Sequence, residues 1–285
     1  MDSKNFSLLK IAGYIGMALV VLVIGVPIVW MLSGSLMSTR DILNPDVWFP
    51  TTPVWENYPD AWTAVPFGRF FINSLIVTIS GAGLEVIMGV LCAYAFAFLK
   101  FPGKNILFLV VLASLMVPSQ VVIIPNYQFM STTIRNLLGT ENNWVNTYQG
   151  IILPGAATAF GTFLMRQGFM GLPGDVLDAA KVDGAGHLRT MWGIMLPMAK
   201  PIVVTFGLIS LVGKWNEYLW PLIITNTDNM RPVTVGLRLL SDAEGNNQWG
   251  VIMAGTAFVV VPMLIVYVGM QRYIIDGLTA GATKG

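Results

Sequence analysis

Three residues whose side chains carry charge in water lie inside apolar stretches of this sequence: Glu85, Lys214 and Glu217. A charge in hydrocarbon is costly, so such residues normally face a partner, a water-filled cavity or a transport path. Lys214 and Glu217 are three residues apart, which on a helix brings them within reach; they either pair with one another or line a path. Spacing names no partner for Glu85. Asn216, Tyr218 and Trp220 add amide, hydroxyl and ring surface, a set suited to gripping polyols by hydrogen bonds and stacking. Glu85, Lys214, Asn216 and Glu217 are therefore the candidates for lining a translocation path. Other chemistry is harder to assemble. With one cysteine, Cys92, and one histidine, His187, neither a disulfide framework nor a clustered metal site can form. Cys92 reads as packing and His187 as a solvated loop residue. No histidine pair, reactive cysteine or nucleophile motif supports an intramembrane enzyme. A Gly-x-x-x-x-Gly-Lys-Ser/Thr phosphate loop is also absent from the sequence, so the chain is not expected to bind nucleotide.

The elements that must carry these residues are membrane spans. Hydrophobic residues make up 55% of the chain and charged ones 11%, and the mean hydropathy is +0.68; soluble domains carry about 25% charge. A net charge of +1 without a clustered basic face excludes a nucleic-acid partner. A spanning helix needs about 20 apolar residues, and six stretches meet that test: residues 11–31, 71–99, 106–124, 148–165, 202–225 and 250–270. The first is too long for a signal peptide and lacks a clear small-residue cleavage site, so it is expected to be retained. Pro118 is expected to kink or end the third near Val117. The fold class is thus an all-α membrane protein of six transmembrane helices in one domain, residues 1–285.

Lysine and arginine orient the spans. Lys4, Lys10, Lys100, Lys104, Arg166, Lys181, Arg189, Lys200, Arg272 and Lys284 fall on the side of the termini. Arg40, Arg69, Arg135, Arg231 and Arg238 fall on the other. The richer side is the cytoplasm, so both termini are expected there. Trp48, Trp55, Trp62, Trp144 and Trp249 on the opposite side suit either the membrane boundary or a folded loop core. Residues 32–69, punctuated by prolines, read as a short structured lip.

Residues 166–200 form a cytoplasmic loop far longer than a hairpin requires. Within it, Asp175 to Val182 reads as a short helix, with an acidic residue in the first turn and Ala179-Ala180 as helix formers. Gly184 stops or bends it. Leu188, Met191, Trp192 and Met195 then repeat at helical spacing up to Pro197. Small residues at the turn let another surface approach the backbone, and Asp178 and Asp183 offer directional anchors. The pair of helices is either a docking knob or an amphipathic element resting among lipid headgroups.

The sequence Asp178-Ala179-Ala180, Asp183-Gly184-Ala185 and Ile194-Met195-Leu196-Pro197 resembles the signature of permease subunits of binding-protein-dependent ABC importers, with aspartate at 178 where the family usually has glutamate. The resemblance implies a type I importer permease, and it makes Asp178, Ala179, Ala180, Asp183, Gly184 and Ala185 the coupling residues that contact an ATPase. Phe163 to Pro173, Trp215 to Thr225 and the tail Gln271 to Gly285 are similar to carbohydrate-uptake permeases. Leu115 to Gln120, with Glu244-Gly245 and Trp249, resembles glycerol-3-phosphate and glycerophosphodiester importers in particular. Maltose, trehalose and oligosaccharide permeases share much of the pattern. The tail, residues 271–285, would reach into the ATPase dimer through Gly281, Lys284 and Gly285. By the same resemblance the chain is a non-catalytic subunit in a bacterial or archaeal plasma (inner) membrane. Its expected partners are a second homologous permease, an ATPase dimer that binds ATP and magnesium, and an extracytoplasmic solute-binding protein. An ion-coupled secondary transporter would account for the buried charges and the broken third span. It leaves the loop from Asp178 to Pro197 without a purpose.

Overall fold

A computed structural model describes residues 3–139, 143–243 and 248–279. Among them there is helix and turn and no strand. The α-helices are α1 (Ser3–Gly34), α2 (Thr39–Ile42), α3 (Asn57–Ala64), α4 (Phe67–Phe98), α5 (Lys104–Ser114), α6 (Ile123–Gln128), α7 (Ile134–Leu138) and α8 (Tyr148–Ile152). They continue as α9 (Ala159–Met170), α10 (Gly174–Val182), α11 (His187–Arg189), α12 (Leu196–Met198), α13 (Lys200–Asn216), α14 (Leu219–Ile224), α15 (Val233–Ala243) and α16 (Trp249–Thr279). Wider π-helical turns occupy Phe129–Thr133 and Thr190–Met195. Three segments among the described residues are long and apolar enough to cross a membrane, Lys10–Gly34, Phe67–Phe98 and Trp249–Arg272. The pair His187–Met198 and Lys200–Asn216, bent by 84°, would make a fourth.

Where the apolar pattern suggests unbroken helices, proline interrupts three of them. A proline lacks an N–H and its ring crowds the carbonyl four residues earlier. For Pro118 that carbonyl belongs to Ser114, where α5 ends, in keeping with the expected break near Val117. For Pro154 it is Gly150, and the stretch 148–165 is accordingly not one helix: α8 gives way to a 3₁₀ turn, Leu153–Gly155, before Thr158 caps α9 by accepting from Gly161 N. The Gly150 carbonyl accepts instead from Trp220 Nε1 at 3.1 Å. For Pro221 it is Glu217, and the stretch 202–225 divides there into α13 and α14. The Glu217 carbonyl accepts from Thr234 Oγ1 at 2.9 Å, so this acceptor is not orphaned at the break. Pro27 and Pro262 sit inside α1 and α16, which run on.

The chain divides into two compact units, Met1–Phe67 with Gly236–Pro262, and Gly68–Val235 with Met263–Gly285. In the first, Tyr58, Trp62 and Phe67 surround Phe258 with ring centroids 5.3 to 5.6 Å away. Asn57 donates to the carbonyls of Ser35 and Met37, each at 3.0 Å, which folds residues 32–69 back on themselves. Trp48 and Trp55 remain exposed. From Ile11 to Val29, α1 shows large apolar side chains on every side, a surface suited to hydrocarbon.

In the second unit, α4, α9, α10, α13 and the π-helical turn Thr190–Met195 share a core of Val90, Tyr94, Met165, Phe169, Leu177, Met191, Met195 and Phe206. Small residues set the closeness of α9 and α13. Gly161 faces Phe206 and Gly168 faces Ile202, and a Cβ at Gly161 would collide with the buried Phe206 ring. Gly161→Ala is expected to lower stability by about 1–3 kcal/mol, the usual cost of overpacking. The thermal midpoint of the detergent-purified protein checks this. Asn73, fully buried, ties the unit together at its other end. Its amide donates to the carbonyls of Asn229 and Arg231 at 2.9 Å, and its oxygen accepts from Tyr148 Oη at 2.7 Å.

Candidate functional site

Two arrangements in the second unit carry chemistry. The first is the knob formed by α10 and the turn after it. Asp175 stands in the first turn of α10 and Lys181 in the last, each at the end where its charge complements the helix dipole. Leu177 and Ala180 face the core, while Asp178 and Ala179 are exposed. After Asp183, Gly184 takes φ +72°. Its N–H donates to the Lys181 carbonyl at 3.0 Å and the N–H of Ala185 to the Ala180 carbonyl at 2.9 Å. These two bonds close a Schellman turn, which needs a left-handed residue at this position and so favours glycine. Gly184 therefore does stop the helix, and a Cβ there would meet only open space.

Of the six expected coupling residues, Asp178, Ala179, Asp183 and Gly184 lie on the exposed tip and Ala185 is half-buried. Ala180 is 4% exposed and packs inward, because it shares the buried face of α10 with Leu177. Asp178 pairs with Lys181 at 2.7 Å, both largely exposed, an ion pair worth little to stability. Val182, 87% exposed, and Leu188, 70% exposed, give the tip an apolar surface that the small-residue reading overlooked. The second half of the loop is π-helical over Thr190–Met195 where a regular helix is expected from the spacing. π-helical turns recur at functional sites. His187 is solvated as expected, yet its Nδ1 hydrogen-bonds to Tyr94 Oη at 2.9 Å and so links the loop to α4. Sequence spacing offers no way to pair Tyr94 with His187.

The second arrangement gathers the charges. Glu85 of α4, 6% exposed, reaches α13. Its Oε1 lies 3.1 Å from Lys214 Nζ, and its Oε2 accepts from Ser210 Oγ. Lys214 also lies 3.5 Å from Glu217 Oε2. The pairing foreseen between Lys214 and Glu217 is thus the longer of two contacts, and Lys214 is the partner of Glu85. Ser210, four residues before Lys214 on the same helix, was legible in principle from that spacing. Gly155 completes the setting: the ammonium lies too close to leave room for a Cβ there, so the broken segment between α8 and α9 forms a wall of the site.

Glu217 stands at the break between α13 and α14 and lines two cavities. One, of about 270 Å³, also touches Glu85, Ser210 and Lys214. The other, of about 450 Å³, is walled by Ser119, Asn126, Gly155, Asn216, Tyr218 and Trp220, among others. Asn216 directs its amide back to the Val212 carbonyl at 2.9 Å. The structure thus unites Glu85, Lys214 and Glu217 and sets Asn216 on the wall of the adjoining cavity. Among the described residues no group of histidine, cysteine, aspartate or glutamate is arranged to hold a metal ion. Glu244, Gly245, Gly281, Lys284 and Gly285 lie outside the described residues.

Residues 85–279 match the family described as the binding-protein-dependent transport system inner membrane component. The chain belongs to this family. The matched region holds the charge cluster, the knob and all of α16, so both candidate sites are parts of a transport permease. This permease is 33% identical over 272 residues to the sn-glycerol-3-phosphate transport system permease protein UgpE of Yersinia enterocolitica, covering 91% of this chain and 94% of that protein. It is equally 33% identical over 260 residues to the diacetylchitobiose uptake system permease protein NgcG of Streptomyces coelicolor, covering 91% and 84%. Its fold is that of a chain from a bacterial ABC transporter involved in the import of the acidic polysaccharide alginate, with a TM-score of 0.79 at 23% identity over 96% of this chain and 99% of that one.

Proposed function

We propose that this permease subunit serves an ATP-driven importer of glycerol-3-phosphate, glycerophosphodiesters or a related sugar in a bacterial or archaeal inner membrane. The observation that carries the reading is the similarity to UgpE across 91% of the chain. The subunit pairs with a second homologous permease across the membrane, through the six spans read from the sequence, with both termini in the cytoplasm. A solute-binding protein delivers the solute from outside. An ATPase dimer holding ATP and magnesium receives the knob, whose exposed tip is formed by Asp178, Ala179, Asp183 and Gly184. Ala180 supports that tip from beneath, and the tail through Gly281, Lys284 and Gly285 docks on the same partner. The chain itself does no covalent chemistry. Glu85, Lys214, Asn216 and Glu217 line the path.

The similarity to NgcG favours a second reading, an oligosaccharide permease of the maltose or trehalose kind. Both make the same prediction for assembly: the affinity-purified chain retains an ATPase and a second permease. They part on the ligand of the cognate binding protein. Calorimetry of that protein is expected to show tight binding of sn-glycerol 3-phosphate; tight binding of a disaccharide with none of the phosphate ester transfers the subunit to the second reading.

A further inference from the structure

The charge cluster is unbalanced in a particular way. Lys214 is held by Glu85, and that pair, braced by Ser210, is almost closed to solvent. Glu217 is a second carboxylate on the same ammonium, set 0.4 Å farther than Glu85 by comparison of 3.5 Å with 3.1 Å. It is also the more exposed, with 33% of its side chain accessible. Its backbone lies at a helix break, with φ −65° and ψ 125°, its N–H reaching back to the Lys214 carbonyl and its own carbonyl accepting from Thr234. One carboxylate is therefore fixed and the other stands at the edge of the larger cavity. Glu217 lines both this cavity and the smaller one that Lys214 touches, and a rotation of its side chain away from Lys214 would free the ammonium for another anion.

We infer that Glu217 is a stand-in for the anionic oxygen of the solute: it occupies Lys214 while the path is empty, yields that place to a phosphate or carboxylate group on arrival, and reclaims it to release the solute. Lys214 serves as the anion subsite, Glu85 and Ser210 hold it in place, and Asn216, Tyr218 and Trp220 meet the hydroxyl-bearing part. The exchange trades one anion on the ammonium for another and breaks no covalent bond. It also answers the difficulty that a fixed second carboxylate would repel an anionic solute at this point. The inference rests on the reading of this cavity as part of the path.

The test is equilibrium binding of radiolabelled sn-glycerol 3-phosphate to the purified whole transporter without ATP, with and without Glu217→Gln. Removing the internal competitor is expected to tighten binding about tenfold, equivalent to about 1.4 kcal/mol, and to slow release in single-turnover uptake. Glu217→Asp, whose shorter carboxylate withdraws from Lys214, shifts binding in the same direction and serves where the glutamine variant fails to assemble. Unchanged or weaker binding in both variants overturns the exchange, as does a wild-type transporter that binds a neutral disaccharide and no phosphate ester. Labelling of Asn216→Cys, in a chain carrying Cys92→Ser, with a small charged thiol reagent separates this failure from failure of the path reading. A labelled cysteine with unchanged binding in the Glu217 variants sinks the exchange alone; an unlabelled cysteine sinks both.

Discussion

Gly184→Val is expected to lower uptake by up to about 5–30-fold while ATP hydrolysis by the assembled complex continues. The residue holds φ +72°, a left-handed conformation that costs a β-branched side chain about 1–2 kcal/mol. Two hydrogen bonds of the Schellman turn depend on that conformation, so relaxing the strain also frees the carbonyls of Ala180 and Lys181. The turn then redirects Ala185 and His187, and with them the Tyr94 contact to α4. A shift of this size corresponds to about a 5–30-fold change in the population of the correct turn. Because the tip is the proposed ATPase contact, that loss falls on coupling and leaves the membrane helices intact. Gly184→Asn is the informative control, since asparagine tolerates the left-handed region; it is expected to keep most of the uptake. Uptake and hydrolysis measured together in proteoliposomes check both variants, and equal uptake by the valine variant would remove the turn from the coupling path.

The second large effect is expected at Lys214. Lys214→Met strips the Glu85 carboxylate of its ion partner in a nearly closed site, leaving the Ser210 hydroxyl. An uncompensated buried charge of this kind destabilises by about 3–5 kcal/mol. The variant should accumulate poorly and lose its assembled peak on size exclusion. Combining it with Glu85→Leu removes the orphaned charge, and buried ion pairs replaced on both sides are often near neutral for stability. The double variant should therefore recover assembly without recovering transport. Poor assembly of both would mean that the pair specifies the fold; normal assembly of the single variant would mean that water reaches Glu85 freely.

Much of the knob was readable beforehand, because its determinants are local. An acidic first turn, two alanines and a glycine dictate a short helix and its stop, and α10 runs over Gly174–Val182 where 175–182 was expected. The inward turn of Ala180 was not readable, since which face of a short helix is buried depends on its partners. The third, fourth and fifth apolar stretches are interrupted by Pro118, Pro154 and Pro221. An average over hydropathy smooths across such residues, although the clash each makes four residues earlier is stated in the sequence. The charge cluster shows the opposite limit. Lys214 and Glu217 declare themselves by spacing, whereas the stronger bond, to Glu85, joins two helices distant in the chain. No local pattern encodes it. The ammonium seat beside Gly155 depends in the same way on tertiary contact.

The Schellman turn has a consequence for how often the knob can be used. Its hydrogen bonds to Ala180 and Lys181 are made within the chain, so those two helix-end carbonyls need neither water nor a partner to satisfy them. A surface of this kind can leave its socket and return at every cycle without stranding a backbone group at that point in either state. In the proposed ATPase contact, attachment would rest on shape and on side chains such as Val182, and repeated separation is compatible with a tip that stays folded throughout.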